Sequence, residues 1–472
     1  MGLLHNVKWV SLSQIIKIIS QLLGLVVFSR YLSPSEFGIM SMTLIVVNFI
    51  NILRDMGSSA AIIQKELLSD SLKCSVFYLN LSLGLFLFVI SYFSSTAVSV
   101  FFNEPAVSNT IKMISIAIPI NSMTAIHLAL LERESKFNKT AIIEISASII
   151  SLAIGIICAI KGAGVYSLVV QTLLYSFISS CGFWMVSGWV PRAKFSLSDI
   201  KSIFKFSSSL VGFNFINYFS RNSDQIIIGR SFSASILGQY SLAYRVMLFP
   251  IQNITFVLTR SLYPILSRIQ KNYIESVSIY LKTLKTIAII IPPLMLGIAV
   301  VSRELVVVVF GPQWVHISSI LIWLAPIAIM QSMVSTTGSV FMAQGKTGIL
   351  LKISIYNAIL QISSFIIGGF YSIDILIKLY LVANVLMFFP NMMLAMKVLN
   401  GSVFALVATI IKPIIAALLM SLVVIYFRSS VAYLELKPIA LLTFSVLVGV
   451  VTYSFMMLVI ERKYIAGFFK NR

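Results

Sequence analysis

Charged residues are scarce in this chain: they make up 11% of its 472 residues, whereas 58% are hydrophobic. About a quarter of the residues in a soluble globular domain are charged, so this composition excludes a soluble protein. The apolar stretches are long and unbroken, unlike the short alternating segments of a transmembrane β-barrel. The sequence therefore predicts an all-α, polytopic integral membrane protein.

Cysteine is also rare, and the patterns typical of catalysis or metal binding are missing. Cys74, Cys158 and Cys181 lie in apolar stretches, and their odd number and spacing indicate neither a disulfide framework nor a metal site. We find no Ser-His-Asp constellation and no Gly-rich phosphate loop after a strand. No soluble domain interrupts the chain, and the first apolar stretch lacks a small-residue cleavage site, which indicates a retained helix. We therefore predict a protein that is not an enzyme, needs no cofactor or metal, and acts within the membrane.

Hydropathy divides the chain into about fourteen transmembrane spans, each long enough to cross the hydrocarbon core of a bilayer. The predicted spans are residues 8–31, 37–63, 74–102, 106–131, 139–160, 163–187, 202–231, 235–264, 286–310, 315–343, 347–369, 373–397, 403–427 and 438–460. Their connections are short, apart from residues 191–206 and 268–286. In the second connection Ile274, Val277, Leu281 and Leu284 share one face, which predicts an amphipathic helix on the membrane surface.

Acidic residues number only 15 against 35 Lys and Arg, which gives a formal net charge of +20. Placing the N-terminus inside puts most of the loop Lys and Arg on the cytoplasmic side, as the positive-inside rule requires. Both termini are then predicted to be cytoplasmic. The basic residues are spread thinly over short loops beside anionic lipid headgroups, so nucleic acid is not a predicted partner.

The chain contains an internal repeat. Shifting it by 200 residues without gaps aligns the first two spans with the seventh and eighth. The identical pairs are Ile16 with Ile216, Ser20 with Ser220, Arg30 with Arg230, Ser33 with Ser233, Ser35 with Ser235, Gly38 with Gly238 and Ser41 with Ser241. Each copy has an even number of helices, so both have the same orientation and are related by an axis along the membrane normal. This predicts a six-helix lobe at 1–190, an amphipathic cytoplasmic linker at 191–206, a second, parallel six-helix lobe at 207–400, and two further helices with a basic cytoplasmic tail at 401–472.

Polar side chains occur inside several spans, where a charge at the helix centre costs roughly 2.5–3.5 kcal/mol and is expected to face protein or water. Those of the seventh span share one helical face: Ser207, Asn214, Asn217, Arg221 and Asp224. The 200-residue shift pairs three of them with a stripe in the first span, formed by Gln14, Lys17 and Gln21. The second span adds Asn48, Asn51, Arg54 and Asp55, and the eighth adds Arg245, Gln252 and Arg260. Repeats that meet at a polar cavity are the usual construction of a secondary transporter.

Cations outnumber acids within the spans, which favours an anionic substrate because Arg forks match phosphate oxygens. The residues predicted to bind substrate are Lys17, Arg54, Arg221, Arg245, Arg260, Asn214 and Asn217. The carboxylates predicted to couple an ion are Asp55, Asp224 and Glu144.

Structural interpretations stay open for several of these residues. Arg54 with Asp55, and Arg221 with Asp224, also fit ion pairs that only neutralise each other. Glu144 also fits an inert position near the interface. Basic residues close to helix ends are typical of snorkelling anchors, namely Arg30, Arg230, Arg303 and Lys437. A lone His127 is typical of a packing or surface residue.

Three stretches, SRYLSPSEFGIMSM, LRDMGSSAAIIQK and YPILSRIQ, resemble the Wzx-type polysaccharide exporters of the multidrug/oligosaccharidyl-lipid/polysaccharide superfamily. The resemblance covers most of the first twelve spans and is closest to the branch of colanic acid and teichuronic acid exporters. It implies a flippase that moves undecaprenyl-pyrophosphate-linked oligosaccharide units to the outer face of the bacterial inner membrane, for export of O-antigen, capsule or exopolysaccharide. It also implies two lobes in a V shape and alternating access coupled to a proton or sodium gradient.

By the same resemblance, a basic cavity would hold the pyrophosphate and the sugars while the lipid tail stays in the membrane. The thirteenth and fourteenth spans resemble the extra pair of the lipid II flippase, which offers a groove for the tail. Membrane lipids and a glycan polymerase with its chain-length machinery are the implied partners.

Two other functions compete with this one. A cation-coupled drug antiporter of the same superfamily would be expected to line its cavity with carboxylates instead of an excess of Arg. An integral-membrane glycan polymerase or ligase would be expected to carry a substantial outer loop with catalytic residues, and the predicted outer loops are short.

Overall fold

The computed structural model describes residues 3–55, 62–63, 68–192 and 195–461, with the backbone alone at the start of the first helix, at Asp55 and over most of 201–220. These residues form helices joined by short turns, and no strand occurs among them. A helix satisfies its own backbone N–H and C=O groups, as the hydrocarbon of a membrane requires. The predicted all-α fold is confirmed.

The helices of the N-terminal half are α1 Leu3–Tyr31, α2 Pro34–Asp55, α3 Asp70–Phe102, α4 Ala106–Ile114, α5 Ala117–Arg133, α6 Phe137–Ile160, α7 Tyr166–Ser187 and α8 Leu197–Ser231. Those that follow are α9 Ala234–Pro250, α10 Phe256–Arg268, α11 Tyr273–Val300, α12 Ser302–Val309, α13 Ile317–Val334, α14 Thr337–Ala343, α15 Thr347–Gly369, α16 Ile373–Val398, α17 Val403–Ser430 and α18 Pro438–Ile460. A π-helical segment, Ile251–Thr255, joins α9 to α10.

Within the described ranges, thirteen helical segments are long and apolar enough to cross a membrane. They match every predicted span except the seventh, residues 202–231. That span lies in α8, which is 35 residues long and therefore has the length to cross. Its Ser, Asn, Arg and Asp residues make it less apolar than the others. The protein is a multi-pass membrane protein.

Polar residues at the helix starts explain where several helices begin. In the connection SPSE before α2, the Ser33 N–H donates to Glu36 Oε2 at 2.7 Å and the Glu36 N–H donates to Ser33 Oγ at 3.3 Å. This reciprocal pair is a capping box. Ser69 accepts from the Leu72 N–H at the start of α3 in the same way.

The chain divides into two compact units, Met1–Gly238 and Gln239–Arg472. In the first unit α8 packs against α2 and α3. It begins inside the predicted linker 191–206, where the Ser196 N–H donates to Ser75 Oγ at 2.8 Å and the Ser71 hydroxyl donates to Asp199 Oδ2 at 2.6 Å. The start of α8 is thus hydrogen-bonded to the start of α3, while the predicted lobe boundaries stay a prediction.

The prediction of a separate surface helix at 268–286 is wrong. Helix α11 runs unbroken from Tyr273 to Val300 and so joins this stretch to the ninth span. Leu284, on the predicted apolar face, is fully buried together with Tyr280. Ile274, on the same predicted face, is 87% exposed. The apolar repeat in this stretch therefore reflects the packing of α11 inside the second unit.

The last two helices are fixed to α11 and α12 by charged groups. Arg428 of α17 donates from Nη2 to both carboxylate oxygens of Glu304 in α12, at 2.7 Å each. Lys285 of α11 forms an ion pair of 2.6 Å with Glu461, which directly follows α18. Charge-assisted hydrogen bonds of this kind are roughly twice as strong as neutral ones, so the C-terminal helix pair is held at both of its ends.

Candidate substrate and ion-coupling sites

The clearest charged contact inside the first unit joins Lys17 and Glu144. Lys17 Nζ lies 2.5 Å from Glu144 Oε2, and the two side chains are 29% and 23% exposed. Lys17 lies on α1 and Glu144 on α6, and these helices pack along each other. A residue predicted to bind substrate and a residue predicted to couple an ion therefore form one ion pair.

Two further ionisable groups lie within electrostatic range of Glu144. Tyr175 of α7 and Glu132, near the end of α5, both interact electrostatically with its carboxylate. Glu144 therefore lies where α1, α5, α6 and α7 approach one another. A single positive charge, that of Lys17, is in ion-pair contact with Glu144 among the described residues. Glu144 can therefore bind a proton or another cation only if its ion pair with Lys17 is broken or the charge of Lys17 is compensated by another group.

Aromatic side chains fix α2 against α8. The Tyr218 hydroxyl donates to the carbonyl of Ile45. The Phe49 ring lies 5.5 Å from the ring of Phe215 and 5.1 Å from that of Phe219, centroid to centroid. Sequence reasoning missed this contact, because aromatic residues are common in membrane helices and none of these stands out from its neighbours.

Asn51 and Arg54 follow Phe49 on α2, by two and five residues. They are three residues apart on α2, so they lie on the same side of the helix, and both are half-buried. The side-chain oxygen of Asn51 is buried and has no hydrogen-bond partner among the described residues. A buried carbonyl oxygen without a donor costs about 1–3 kcal/mol, which makes Asn51 a candidate for contact with a ligand hydroxyl. The side chain of Asp55 lies outside the described residues.

On α8, Arg221 and Asp224 have different environments. Asp224 is buried and accepts a hydrogen bond of 2.7 Å from the Gln225 N–H. Arg221 is exposed and forms no ion pair with any described residue. The two side chains therefore do not neutralise each other. Asn214 and Asn217, predicted to bind substrate from the same helix, have side chains outside the described set.

The eighth predicted span carries Arg245 on α9 and Arg260 on α10. Both side chains are exposed, and neither is ion-paired within the described part of the second unit. Pro250 lacks the amide hydrogen that an α-helix needs, and the π segment Ile251–Thr255 follows it directly. π-helical turns occur frequently at functional sites. The only sequence signal for this turn is Pro250.

Contacts in the structure agree with the structural interpretations of two residues, His127 and Arg230. His127 is fully buried, its ring stacks 4.1 Å from that of Trp184, and its Nδ1 lies 2.7 Å from Ser187 Oγ. These contacts are those of a packing residue. Arg230, expected as a snorkelling anchor, lies over the Phe101 ring at the end of α8.

Solved structures with the same fold include two classes of transporter. The lipid II flippase MurJ, in an inward closed conformation, has a TM-score of 0.76 at 18% identity, covering 96% of this chain and 99% of that one. A multidrug MATE transporter in an inward-facing conformation has a TM-score of 0.59 at 16% identity, covering 84% of this chain and 99% of that one. At these identities the likeness concerns the fold alone.

Sequence comparison identifies relatives along most of the chain. The teichuronic acid biosynthesis protein TuaB of Bacillus subtilis strain 168 is 26% identical over 470 residues, 96% of this chain and 95% of the relative. The lipopolysaccharide biosynthesis protein WzxC of Escherichia coli K12 is 27% identical over 372 residues, 78% of this chain and 75% of the relative. The family model described as polysaccharide biosynthesis protein matches residues 27–319, more than half of the sequence. This chain therefore belongs to the polysaccharide biosynthesis protein family.

Proposed function

We propose that this protein is a flippase for undecaprenyl-pyrophosphate-linked oligosaccharide repeat units. It moves them by alternating access from the cytoplasmic to the outer face of the bacterial inner membrane, for export of a surface polysaccharide such as O-antigen, capsule or exopolysaccharide. Its family, the polysaccharide biosynthesis names of its relatives and the fold that it shares with a lipid II flippase support this proposal. The protein acts as a transporter and not as an enzyme.

The observation that carries the proposal is the set of three arginines in the seventh and eighth spans whose charge no described acidic residue neutralises. Arg221, Arg245 and Arg260 form no ion pair within the described part of the chain. Facing lipid, each would cost roughly 2.5–3.5 kcal/mol at the helix centre, so water or a ligand is their expected environment. A pyrophosphate offers several anionic oxygens that match the fork of an Arg. Arg221 in the first unit, and Arg245 and Arg260 in the second, are therefore each assigned to contact with phosphate oxygens.

The sugars of the repeat unit are assigned to neighbouring polar side chains. Asn214, Asn217 and Arg54 carry donors that sugar hydroxyls can accept, and the two amides also accept hydrogen bonds. Lys17 joins this group when it is not paired with Glu144. The same helices then supply contacts to both the charged and the neutral part of the substrate.

Ion coupling is assigned to one carboxylate each of the second span, α6 and α8. Glu144 is neutralised by Lys17 here, and a bound proton would neutralise it equally well. If a substrate phosphate replaces Glu144 as the ion-pair partner of Lys17, Glu144 can bind a proton or a sodium ion. Asp55 and Asp224 are assigned the same task. No cofactor is needed.

The proposed orientation places both termini in the cytoplasm, because this choice puts most loop Lys and Arg inside. The substrate then enters from the side on which glycosyltransferases assemble it. A glycan polymerase with its chain-length machinery would take the units on the outer face. Membrane lipids surround the spans and compete with the lipid tail of the substrate for contact with the protein.

The experiment that tests the proposal measures the sidedness of lipid-linked oligosaccharide in cells depleted of the protein. An impermeant glycan-cleaving enzyme is added to spheroplasts, and the cleaved fraction is compared with that in cells expressing the wild-type chain. Accumulation of intact units shielded on the cytoplasmic face is the expected result. Single units that are already exposed outside would contradict flipping and favour the polymerase or ligase alternative.

Arginine variants test the anion site in the same assay. Loss of one charge-assisted contact is worth about 1.5–3 kcal/mol, so Arg221→Ala, Arg245→Ala and Arg260→Ala are each expected to reduce flipping about ten- to a hundredfold. Arg268→Ala is the matched control, because Arg268 is an exposed Arg at the end of α10, about two turns beyond Arg260. Unchanged flipping in all three test variants would refute the assignment. Efflux of cationic drugs that survives these changes would favour the antiporter alternative.

A further inference from the structure

A cavity of about 270 Å³ lies where three helices of the first unit end side by side. Its described lining comes from the start of α3, from α5 and the turn after it, and from the end of α7 with the bend after it: Lys73, Leu130, Leu131, Glu134, Ser187, Gly188 and Trp189. Consecutive membrane spans alternate in direction, so the start of α3 and the ends of α5 and α7 reach the same face of the membrane. The cavity therefore lies at the depth of the lipid headgroups, and its lining contains none of the residues assigned to transport.

The size of the cavity limits what it can hold. One water molecule takes up about 30 Å³ of liquid, so the cavity has the volume of about nine waters. That volume suits one small polar group, such as the headgroup of a single phospholipid. A helix of a partner protein, or an oligosaccharide of several sugar rings, is too large. The repeat unit is therefore not the ligand of this cavity.

One wall of the cavity belongs to a packed aromatic cluster. The Trp189 ring lies 5.9 Å from the Phe77 ring and 5.5 Å from the His127 ring, centroid to centroid. The Trp189 backbone N–H donates to Ser187 Oγ at 3.5 Å, and the same oxygen lies 2.7 Å from His127 Nδ1. Trp189 and Ser187 are therefore fixed in place before a ligand arrives, as is usual for a small-molecule site.

Two opposite charges border the cavity, and each has a partner at the protein surface. Lys73 Nζ lies 2.8 Å from Asp70 Oδ1, and the Lys73 side chain is 20% exposed whereas that of Asp70 is 79% exposed. Glu134 pairs with Lys136, and both of these side chains are exposed. Such surface pairs contribute little, because water solvates both charges well. A ligand that offers a phosphate to Lys73 and an ammonium to Glu134 therefore replaces their present partners at little cost.

The described lining balances one positive charge against one negative charge. A purely anionic headgroup would attract Lys73 and repel Glu134, and a purely cationic one would do the reverse. A zwitterionic headgroup satisfies both residues. Its ammonium gains further from the Trp189 ring, because the face of an indole attracts cations. The apolar side chains of Leu130 and Leu131 adjoin these groups, as the glycerol backbone and first methylenes of a lipid require.

We propose that this cavity binds the headgroup of a zwitterionic phospholipid, with the phosphate at Lys73 and the ammonium at Glu134 and Trp189. A protonated primary amine has three N–H donors for the Glu134 carboxylate and the water around it, and a quaternary ammonium has none. The site therefore selects an ethanolamine headgroup over a choline headgroup. In the proposed orientation the lipid belongs to the cytoplasmic leaflet. It is a resident lipid and not the transported substrate.

Native mass spectrometry of the delipidated full-length protein in detergent tests this site. Phosphatidylethanolamine, phosphatidylcholine and phosphatidylglycerol with identical acyl chains are added separately, and the fraction of protein that retains one lipid is measured. We expect phosphatidylethanolamine to be retained severalfold more than the other two, because the choline lipid lacks N–H donors and the glycerol lipid lacks a cation. Equal retention of the three lipids would mean nonspecific contact and would overturn the proposal. Stronger retention of phosphatidylglycerol would overturn it as well, because the site would then be anion-selective.

Two variants test the position of the lipid. Lys73→Gln and Glu134→Gln are each expected to reduce retention of phosphatidylethanolamine about tenfold or more, as the loss of one charge-assisted hydrogen bond predicts. Lys139→Gln and Glu275→Gln are the matched controls, because both side chains are exposed and neither lines the cavity. Unchanged retention in either test variant, or an equal decrease in the controls, would contradict the assignment.

Failure of the lipid site and failure of the proposed function give different results. Lipid retention is measured on purified protein, whereas flipping is measured by sidedness in spheroplasts. If depletion of the protein traps substrate inside while the three lipids are retained equally, the flippase stands and the lipid site falls. If depletion traps no substrate, the function falls, and the retention of phosphatidylethanolamine still decides whether the cavity binds this lipid.

Discussion

The ammonium of Lys17 lies 2.5 Å from a carboxylate oxygen of Glu144, and this ion pair links α1 to α6 inside the first unit. Its two side chains are less than a third exposed, so water screens their attraction less than it would at a surface. Either group can be neutralised by another partner: Lys17 by a phosphate and Glu144 by a proton. The pair therefore connects the two halves of the proposed cycle, substrate binding and ion coupling.

Removal of one partner of this pair is expected to lower both stability and transport. Lys17→Met or Glu144→Gln leaves one partly buried charge or carbonyl without its partner, at about 1–3 kcal/mol in the free energy of unfolding. The double variant Lys17→Met/Glu144→Gln should regain most of that stability but not the transport. The measurements are the apparent unfolding temperature in detergent and the spheroplast assay.

The control for this double-mutant cycle is the pair Lys73 and Asp70, also an ion pair, whose Asp side chain is 79% exposed. Removal of this exposed pair should change neither the apparent unfolding temperature nor the flipping measured in spheroplasts. Recovery of full transport in the Lys17→Met/Glu144→Gln variant would show that the pair is purely structural.

Lysine is expected to be a poor substitute at the exposed arginines. Arg221→Lys, Arg245→Lys and Arg260→Lys keep the charge but lose the planar fork that contacts two phosphate oxygens at once. Flipping should therefore fall between that of the wild type and that of the alanine variants, in the same spheroplast assay. If lysine supported full activity, these positions would act as point charges, and bidentate contact with a pyrophosphate would be excluded.

The bidentate contact between Arg428 and Glu304 is expected to hold α17 in place. Arg428→Lys should lower the free energy of unfolding by about 1–2 kcal/mol, because Nη2 donates to Glu304 while Nη1 donates to the Val300 carbonyl, and a single ammonium cannot replace both nitrogens. The apparent unfolding temperature in detergent is the reading. Arg303→Lys serves as the control, since Arg303 is exposed and precedes Glu304 directly. A similar decrease in both variants would contradict a specific role for Arg428.

The hydroxyl of Tyr218 is expected to stabilise the packing of α2 on α8. Tyr218→Phe keeps the ring beside Phe49 but leaves the carbonyl of Ile45 without this donor, at about 1–3 kcal/mol. The exposed Tyr263 supplies the control variant Tyr263→Phe, for which no change in apparent unfolding temperature is expected. An unaltered unfolding temperature in Tyr218→Phe would mean that water replaces the hydroxyl.

The positions of the helices follow largely from local sequence, because each membrane span must be apolar for its whole length. The two longest predicted connections, residues 191–206 and 268–286, are exceptions, because α8 and α11 extend into them. Helix α8 begins within residues 191–206 because Ser71 and Ser75 on α3 bond its first turn. In α11, the burial of Tyr280 and Leu284 depends on helices distant in sequence. Hydropathy within a short window contains no information about such partners.

The candidate site was predictable residue by residue but not as a set of contacts. Lys17 and Glu144 each stood out as a charge within an apolar stretch, yet their pairing depends on tertiary structure across 127 residues of sequence. The aromatic contact of Phe49 with α8 and the π turn after Pro250 gave weaker signals. Aromatic residues and single prolines are too common in membrane helices to indicate a site by themselves.

A Cβ atom on Gly38 in α2 would lie 1.7 Å from the Ala234 carbonyl oxygen, and one on Gly238 in α9 would lie 1.9 Å from that of Pro34. This close contact bears on how a duplicated chain can change. After a duplication, each copy is normally free to diverge, because a substitution in one has no direct effect on the other. Here Gly38 adjoins the backbone of the second copy and Gly238 adjoins that of the first. A larger residue in either copy would require a displacement in the opposite one. Substitutions at Gly38 and Gly238 are therefore constrained by the backbone opposite each of them, whereas most other positions of the repeat can change independently.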